Sequence, residues 1–233
     1  LQNTDFMFDF RLKSFKFHAD KFRMLMKVGI PTSIQNVAVN ISFLVMTGLV
    51  NSFGVKASAA LGVISKYNSF AILPAIAVGS SVSAMVAQNI GAGEIKRAQH
   101  TMYIGIAVAL GISLPIFTIT QMFPEQIIAV FDNDPEMIQA GVTYLNTLSL
   151  DYIIVPFIFC VNGLITGAGH TMFASITGIM SALLLRVPAA YIFGLTFDWG
   201  LMGIGLAAPV ASLGSTALAT AYYLSGKWKI STV

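Results

Sequence analysis

Charge is the scarcest feature of this sequence. Lys, Arg, Asp and Glu make up 10% of its 233 residues, where an ordinary soluble domain carries about 25%. With so few charges and 56% hydrophobic residues, the chain cannot clothe itself in a hydrated surface, and its mean hydropathy of +0.78 agrees. The net charge is only +3, and no basic stripe of the kind that holds nucleic acid is visible. One cysteine, Cys160, excludes an internal disulfide and a cysteine-built zinc site; within an apolar run it reads as a small buried residue. His18, His100 and His170 lie far apart, with no HxxxH spacing. A GxxxxGK[ST] phosphate loop is missing, and GxGxxG fails because Lys96 stands where a third glycine should follow Gly91 and Gly93. The apolar runs hold a single acid, Asp151, so the paired acids of an intramembrane enzyme are lacking. Neither enzymatic activity nor a cofactor is expected. The chain opens at Leu1 without a signal-peptide pattern, and we expect a piece of a longer protein.

What is present is apolar length. Six runs, near 29–50, 57–90, 98–122, 137–166, 171–195 and 202–224, each reach the roughly 20 helical residues that cross a hydrocarbon core. They are continuous and lack period-two alternation, so helices are expected rather than strands. The fold class is all-α: a polytopic membrane protein whose six transmembrane helices form one lobe. The second and fourth runs are long enough to tilt or protrude. The expected boundaries are a lead-in over 1–28, the six-helix lobe over 29–225 and a tail over 226–233.

Cations set the direction. Arg11, Lys13, Lys16, Lys21, Arg23 and Lys27 precede the first run, Lys96 and Arg97 follow the second, and Lys227 and Lys229 follow the sixth. With six spans all of these fall on one side, taken as cytoplasmic, with both ends of the segment there. The other side carries Lys56 among Glu125, Asp132, Asp134, Glu136 and Asp198. A cell-membrane (plasma or inner membrane) location is expected. The lead-in FRLKSFKFHADKFRMLMKVG reads as an amphipathic segment on the cytoplasmic face, with Phe15, Phe22 and Met26 dipping into the interface, or equally as a solvated linker. PEQIIAVFDNDPE, residues 124–136, suggests a short surface helix and a turn, with Pro135 in the first turn of the next helix.

Each run carries one proline: Pro31, placed in a first turn, and Pro74, Pro115, Pro156, Pro188 and Pro209 in helix interiors. Small residues recur every fourth position at Ala71, Ala75, Gly79, Ser83, Ala87 and Gly91, and again at Gly203, Ala207, Ala211, Ser215 and Ala219. Such rows let helix backbones approach closely, but a step of four winds around the helix, so no one partner meets a whole row.

Three ionisable side chains lie inside runs: Lys66, Asp151 and Arg186. At about 2.5–3.5 kcal/mol each on insertion scales, they should face a wet cavity or one another. Asp151 is the natural partner of either cation. It is either a carboxylate that responds to protons or sodium, or half of a permanent ion pair. Pro156 cannot bond the carbonyl of Tyr152, which leaves a backbone oxygen beside Asp151 for a sodium ion; no firmer metal site is visible. Lys66 balances Asp151 or repels cations. Gln35, Asn36, Asn40, Asn68 and Asn162 either line a substrate cavity or bridge helices.

VAQNIGAGEIKRA, residues 86–98, ends a membrane helix at a glycine turn. Gly91 and Gly93 relieve the reversal, and Gln88 and Asn89 cap backbone groups. This stretch resembles the signature after the second helix of each half in multidrug and toxic compound extrusion (MATE) transporters. KVGIPTSIQN, LVNSFG, AALGVISKYNSFAILPAIAVG, GLITGAGHT and LLLRVPAAYIFG resemble further parts of that family's C-terminal six-helix half, in order, over about residues 20–230. The resemblance implies a partner N-terminal six-helix lobe absent from this chain. It also implies export of amphipathic organic cations driven by Na+ or H+ entry, and it assigns Arg186 to the family's fifth-helix motif. The related alternative is a lipid-linked oligosaccharide flippase, which a more cationic cavity at Lys66 and Arg186 would favour. The chain departs from some members in having no acid within 29–50, and its span-four acid sits about one turn from theirs.

Overall fold

The computed structural model describes residues 18–229. Its helices are α1 (Ala19–Asn51), α2 (Val55–Gly91), α3 (Ile95–Met122), α4 (Pro124–Ala129), α5 (Pro135–Leu148) and α6 (Asp151–Gly167). A fifth long rod runs through α7 (Thr171–Ile179), a π-helical stretch at Met180–Arg186, α8 (Val187–Tyr191) and a second π stretch at Ile192–Thr196. It is followed by α9 (Gly200–Leu224) and a 3-10 turn at Lys227–Lys229. Five helices are long and apolar enough to cross a membrane, and the α5–α6 pair, bent by 42°, makes a sixth span. The expected six-span, all-helical architecture is therefore present, and Pro124–Ala129 is the expected surface helix.

Two expectations at the beginning of the chain change. Residues 19–28 are the opening turns of α1 and run into the first span without a break. Pro31 is consequently inside that helix rather than in its first turn. Arg11, Lys13, Phe15 and Lys16 lie outside the described residues. At the other end, the tail folds back: Trp228 is fully buried, donates its indole N–H to the Tyr223 carbonyl at 3.0 Å and stacks on the Tyr223 ring.

The turns sort into two ends. Lys56, opening α2, pairs with Asp134, which brings the α1–α2 turn against the acidic 124–136 loop. At the opposite end, His170 Nδ1 and the Tyr222 hydroxyl are 2.9 Å apart, joining the α6–α7 turn to the end of α9. These are the acidic end and the basic end. α5 starts at the acidic end because Asp134 accepts from the backbone N–H groups of Glu136 and Met137 at 3.0 and 3.1 Å and Pro135 occupies the first helical position. α2 stops at the basic end because Gly93 takes φ +78°. That left-handed residue lets Gly93 N–H reach the Ile90 carbonyl and Glu94 N–H reach the Asn89 carbonyl, at 2.9 and 2.8 Å, which satisfies carbonyls left open by the helix end.

Packing divides the same way. One cluster, with Val50, Ile64, Leu145 and Ile204 at its centre, fills the acidic half. A second, around Val86, Cys160, Leu164 and Ile165, fills the basic half. Between α2 and α6 the backbones meet directly: a Cβ added at Gly163 would lie 2.5 Å from the Gly79 carbonyl oxygen. The small-residue rows behave differently. All of Gly203, Ala207, Ala211, Ser215 and Ala219 are buried in α9, whereas the α2 row is buried at Ala71, Ala75 and Gly79 and surfaces by Ala87 and Gly91.

Candidate functional site

The fourth span breaks at Ser149–Leu150, and the break is filled from α3. The Gln121 side-chain amide donates to the Asn146 carbonyl and to Ser149 Oγ, both at 2.8 Å. A side chain inserted into the backbone ladder is a known cause of a sharp bend, and it removes the penalty of a bare carbonyl in lipid. The bend lies upstream of Pro156, which sits inside α6. The expected freed carbonyl at Tyr152 is therefore not where the span opens. The first residue after the break is Asp151, so its carboxylate stands at the positive end of the α6 dipole.

Asp151 opens onto a cavity of about 330 Å³. From α2, the lining residues Leu61, Ile64, Ser65, Asn68, Ser69 and Ile72 form one helical stripe. From α1 come Asn40, Phe43, Met46 and Thr47; Tyr144 and Leu148 come from α5, Arg186 from the first π stretch and Ala208 from α9. The π stretch carrying Arg186 immediately precedes Pro188. A proline ring crowds the carbonyl four residues back, and a wider π turn moves that carbonyl aside; such turns gather at functional sites.

Two opposite charges line this cavity without forming an ion pair. Asp151 is 5% exposed, its Oδ1 has no hydrogen-bond partner, and the Ser212 hydroxyl and the Arg186 charge are its polar neighbours. Arg186 places its guanidinium carbon 5.1 Å from the centre of the Phe43 ring, a cation–π geometry, while its buried Nε has no partner. No ion pair joins the two among the described residues. Asn68 Oδ1 and the Tyr152 hydroxyl are also buried without partners.

Asp151, Arg186, Asn40 and Asn68 thus line one cavity. The remaining candidates do not join them. Lys66 follows Ser65 on α2 and is rotated out of the stripe, exposed and without an ion pair to Asp151; depth along the chain is blind to that rotation. Gln35 packs against Gly178 of α7. Asn36 is exposed and its carbonyl accepts from Asn40 Nδ2 at 2.8 Å. Asn162 is half-buried in α6, outside the cavity, with an unpartnered Oδ1. At the family-motif turn, Gln88 is exposed and Asn89 Nδ2 reaches Thr101 Oγ1 at 3.3 Å. Sequence reasoning missed Phe43, Tyr144 and Gln121. The spacing Asn40–Phe43–Thr47 is a helical face that would have pointed to the first of these. No cluster of three His, Cys, Asp or Glu side chains occurs among the described residues, so a hard cation at Asp151 would rely on neutral oxygens around that one carboxylate.

A bundle of six candidate spans, with a broken fourth span and a partly polar cavity at the break, defines a multi-pass helical membrane protein with the discontinuous-helix geometry that ion and substrate sites use. The chain belongs to the MatE family, whose model matches residues 31–192. It is 29% identical over 207 residues to the probable multidrug resistance protein YpnP of Bacillus subtilis (strain 168), covering 88% of this chain and 46% of that protein. It is 25% identical over 207 residues to the probable multidrug resistance protein NorM of Thermotoga maritima, covering 88% of this chain and 44% of that one. A crystal structure of MATE in complex with MaD3S shares the fold, with a TM-score of 0.83 at 20% identity over 97% of this chain and 50% of that chain. The chain spans about half the length of the curated relatives it matches.

Proposed function

We propose that this chain is the C-terminal lobe of a cation-coupled antiporter that exports amphipathic organic cations from the cell, with its basic end cytoplasmic. The carrying observation is Asp151: a carboxylate at a helix break that lines the cavity, 5% exposed, with its buried Oδ1 unpartnered. Such a group binds Na+ or H+ from one side and releases it to the other when the break flexes. A second six-helix lobe completes the cavity, and the two rock about it. The chain performs no covalent chemistry in this reading and needs no cofactor beyond the coupling ion. The cavity does not favour a lipid-linked oligosaccharide substrate, because Lys66 is exposed outside it and its lining carries one carboxylate, Asp151, for one cation, Arg186.

The test is efflux of a fluorescent organic cation from proteoliposomes containing the full transporter. Sodium and proton gradients are imposed in turn. The native protein should respond to one gradient, and Asp151→Asn should lose most of that response while still folding. A variant that keeps its full response would remove Asp151 from coupling.

A further inference from the structure

We propose that a second cavity, at the basic end between α1 and α7, is a binding site for an anionic membrane phospholipid. The lipid phosphate is held at Lys27 and the start of α7, and an acyl chain runs down the groove between the two helices. This goes beyond the export reading and does not depend on it, and the cavity at Asp151 takes no part.

The second cavity has a volume of about 360 Å³. Lys27 of α1 lines one side, and Gly169, His170 and the first turn of α7 line the other. Two of these walls are fixed from behind by one ring. Tyr222 of α9 keeps its hydroxyl 2.9 Å from His170 Nδ1 and stacks on Phe173 with ring centroids 3.8 Å apart. The concave shape is therefore formed before any ligand arrives. Its polar groups suit an anion. Gly169, at φ +92°, turns the chain out of α6, and the N–H groups of Gly169 and His170 are used on the Thr166 and Ile165 carbonyls at 2.9 and 3.0 Å. The next N–H groups open α7 and have no carbonyl one turn back to meet, and the His170 side chain does not cap them. A helix start alone attracts an anion weakly; here an exposed lysine borders the same concave space.

The surroundings decide between a soluble anion and a lipid. Lys27 is the last cation before the apolar run near 29–50, the position from which a lysine reaches the headgroups. From the cavity an apolar stripe descends at helical spacing on each side: Ile30 and Ile34 on α1, and Met172, Ile176 and Met180 on the α7 rod. All five are exposed. The two helices pack along this line, with Gln35 of α1 against Gly178 of α7, so the stripes are the lips of one groove. A soluble phosphate would leave those lips unused, whereas a phospholipid meets the cation and the lips together. Met172, Phe173 and Ile176 form the apolar wall of the cavity itself, beside which the first acyl carbons would lie. Charge selects the headgroup. The opening turns of α1 carry Lys21, Arg23 and Lys27 against Asp20, so a net-anionic lipid gains over a zwitterionic one, as in other basic pockets between membrane helices.

The experiment is native mass spectrometry of the full transporter, purified in a neutral detergent and titrated with dioleoyl phosphatidylglycerol or dioleoyl phosphatidylcholine. The native protein should bind phosphatidylglycerol about fivefold or more tightly than phosphatidylcholine, the effect of one basic side chain beside an anionic lipid. Lys27→Gln should remove that preference and Lys27→Arg should keep it. Ile176→Trp, which fills the apolar part of the cavity, should weaken both lipids. Lys96→Gln, at the start of α3 on the same end, should leave the preference close to native. Equal losses in Lys27→Gln and Lys96→Gln would overturn the proposal, because diffuse charge and not a built site would then attract the lipid. A native protein without the preference overturns it too, as it would if another part of the transporter covered the cavity, and so does a Lys27→Gln protein with the preference intact. Displacement of the bound phosphatidylglycerol by inorganic phosphate would overturn the lipid assignment in favour of a soluble anion.

Discussion

Around Cys160 the helices touch backbone to backbone, whereas around Asp151 the same helices stand apart and leave a cavity. In the basic half, α2 and α6 approach so closely that a single methyl group at Gly163 would strike the Gly79 carbonyl, and Cys160, Leu164 and Ile165 are fully buried. In the acidic half, Asn68, Asn146, Asp151, Tyr152 and Arg186 each bury a polar atom without a partner. Among the described residues, Asn162 is the comparable case in the basic half. The α6 rod passes through both regions, closely packed at one end and freshly broken at the other. The Gly79–Gly163 contact holds one end of the rod, and the Gln121 hydrogen bonds hold the bend at Ser149–Leu150 at the other.

The contrast breaks most visibly at Gly163. Helix propensity favours Ala over Gly by about 1 kcal/mol, yet the Cβ would stand 2.5 Å from a backbone oxygen, and overpacking against backbone costs about 3 kcal/mol. Sterics wins, so Gly163→Ala should lower the thermal unfolding temperature in detergent and reduce the folded yield. Ser69→Ala in the cavity wall, which removes a hydroxyl bonded to the Ser65 carbonyl at 2.9 Å, should leave both measurements close to native. Equal effects of the two would show that the basic half is no tighter than the acidic half.

A smaller and more specific effect is expected at the bend. Gln121→Ala removes the donor from α3 to the Asn146 carbonyl and Ser149 Oγ, leaving that carbonyl only the Ser149 hydroxyl at 3.1 Å. One lost hydrogen bond costs about 1 kcal/mol, and with α3 no longer inserted the ladder can close and straighten the span. Spin labels placed either side of residues 149–150 should report a smaller bend, and gradient-driven flux should fall with little loss of folded protein. An unchanged bend angle would transfer the cause of the break from Gln121 to the α5–α6 backbone itself.

The sequence was most legible where a one-dimensional signal decides the structure. Continuous apolar length gave span ends that differ from the observed ones by a few residues, apart from α1, where nothing in residues 19–28 stops a helix before the apolar run begins. Asp134-Pro135 and Gly93 announced a helix start and a helix stop through local chemistry alone. The break in span four was not legible, because Ser149 and Leu150 are unremarkable residues and the group that holds the break open comes from α3. Pro156, the only local cue, lies downstream of the bend. The cavity was half legible: Asn40, Asn68, Asp151 and Arg186 line it, but Phe43 carries no polar signal in the sequence, and only the Arg186 guanidinium over its ring marks it.

Lys66 is the sharpest small-effect test of the same comparison. Depth along α2 puts it level with the cavity, since its neighbours Ser65 and Asn68 both line the wall. Rotation takes it out, because one residue turns the helix by about 100°, and its side chain is exposed on the flank of the stripe. A long lysine can carry its charge toward a more polar level from such a position. Lys66→Gln should therefore shift stability by no more than about 0.5 kcal/mol and leave gradient-driven flux close to native, while Arg186→Gln, in the cavity wall, lowers it. Should Lys66→Gln lower flux as strongly as Arg186→Gln, the lysine reaches the cavity, which then holds two cations against one carboxylate. The cavity would then favour anions, and the lipid-linked phosphate substrates disfavoured above would return as the better reading.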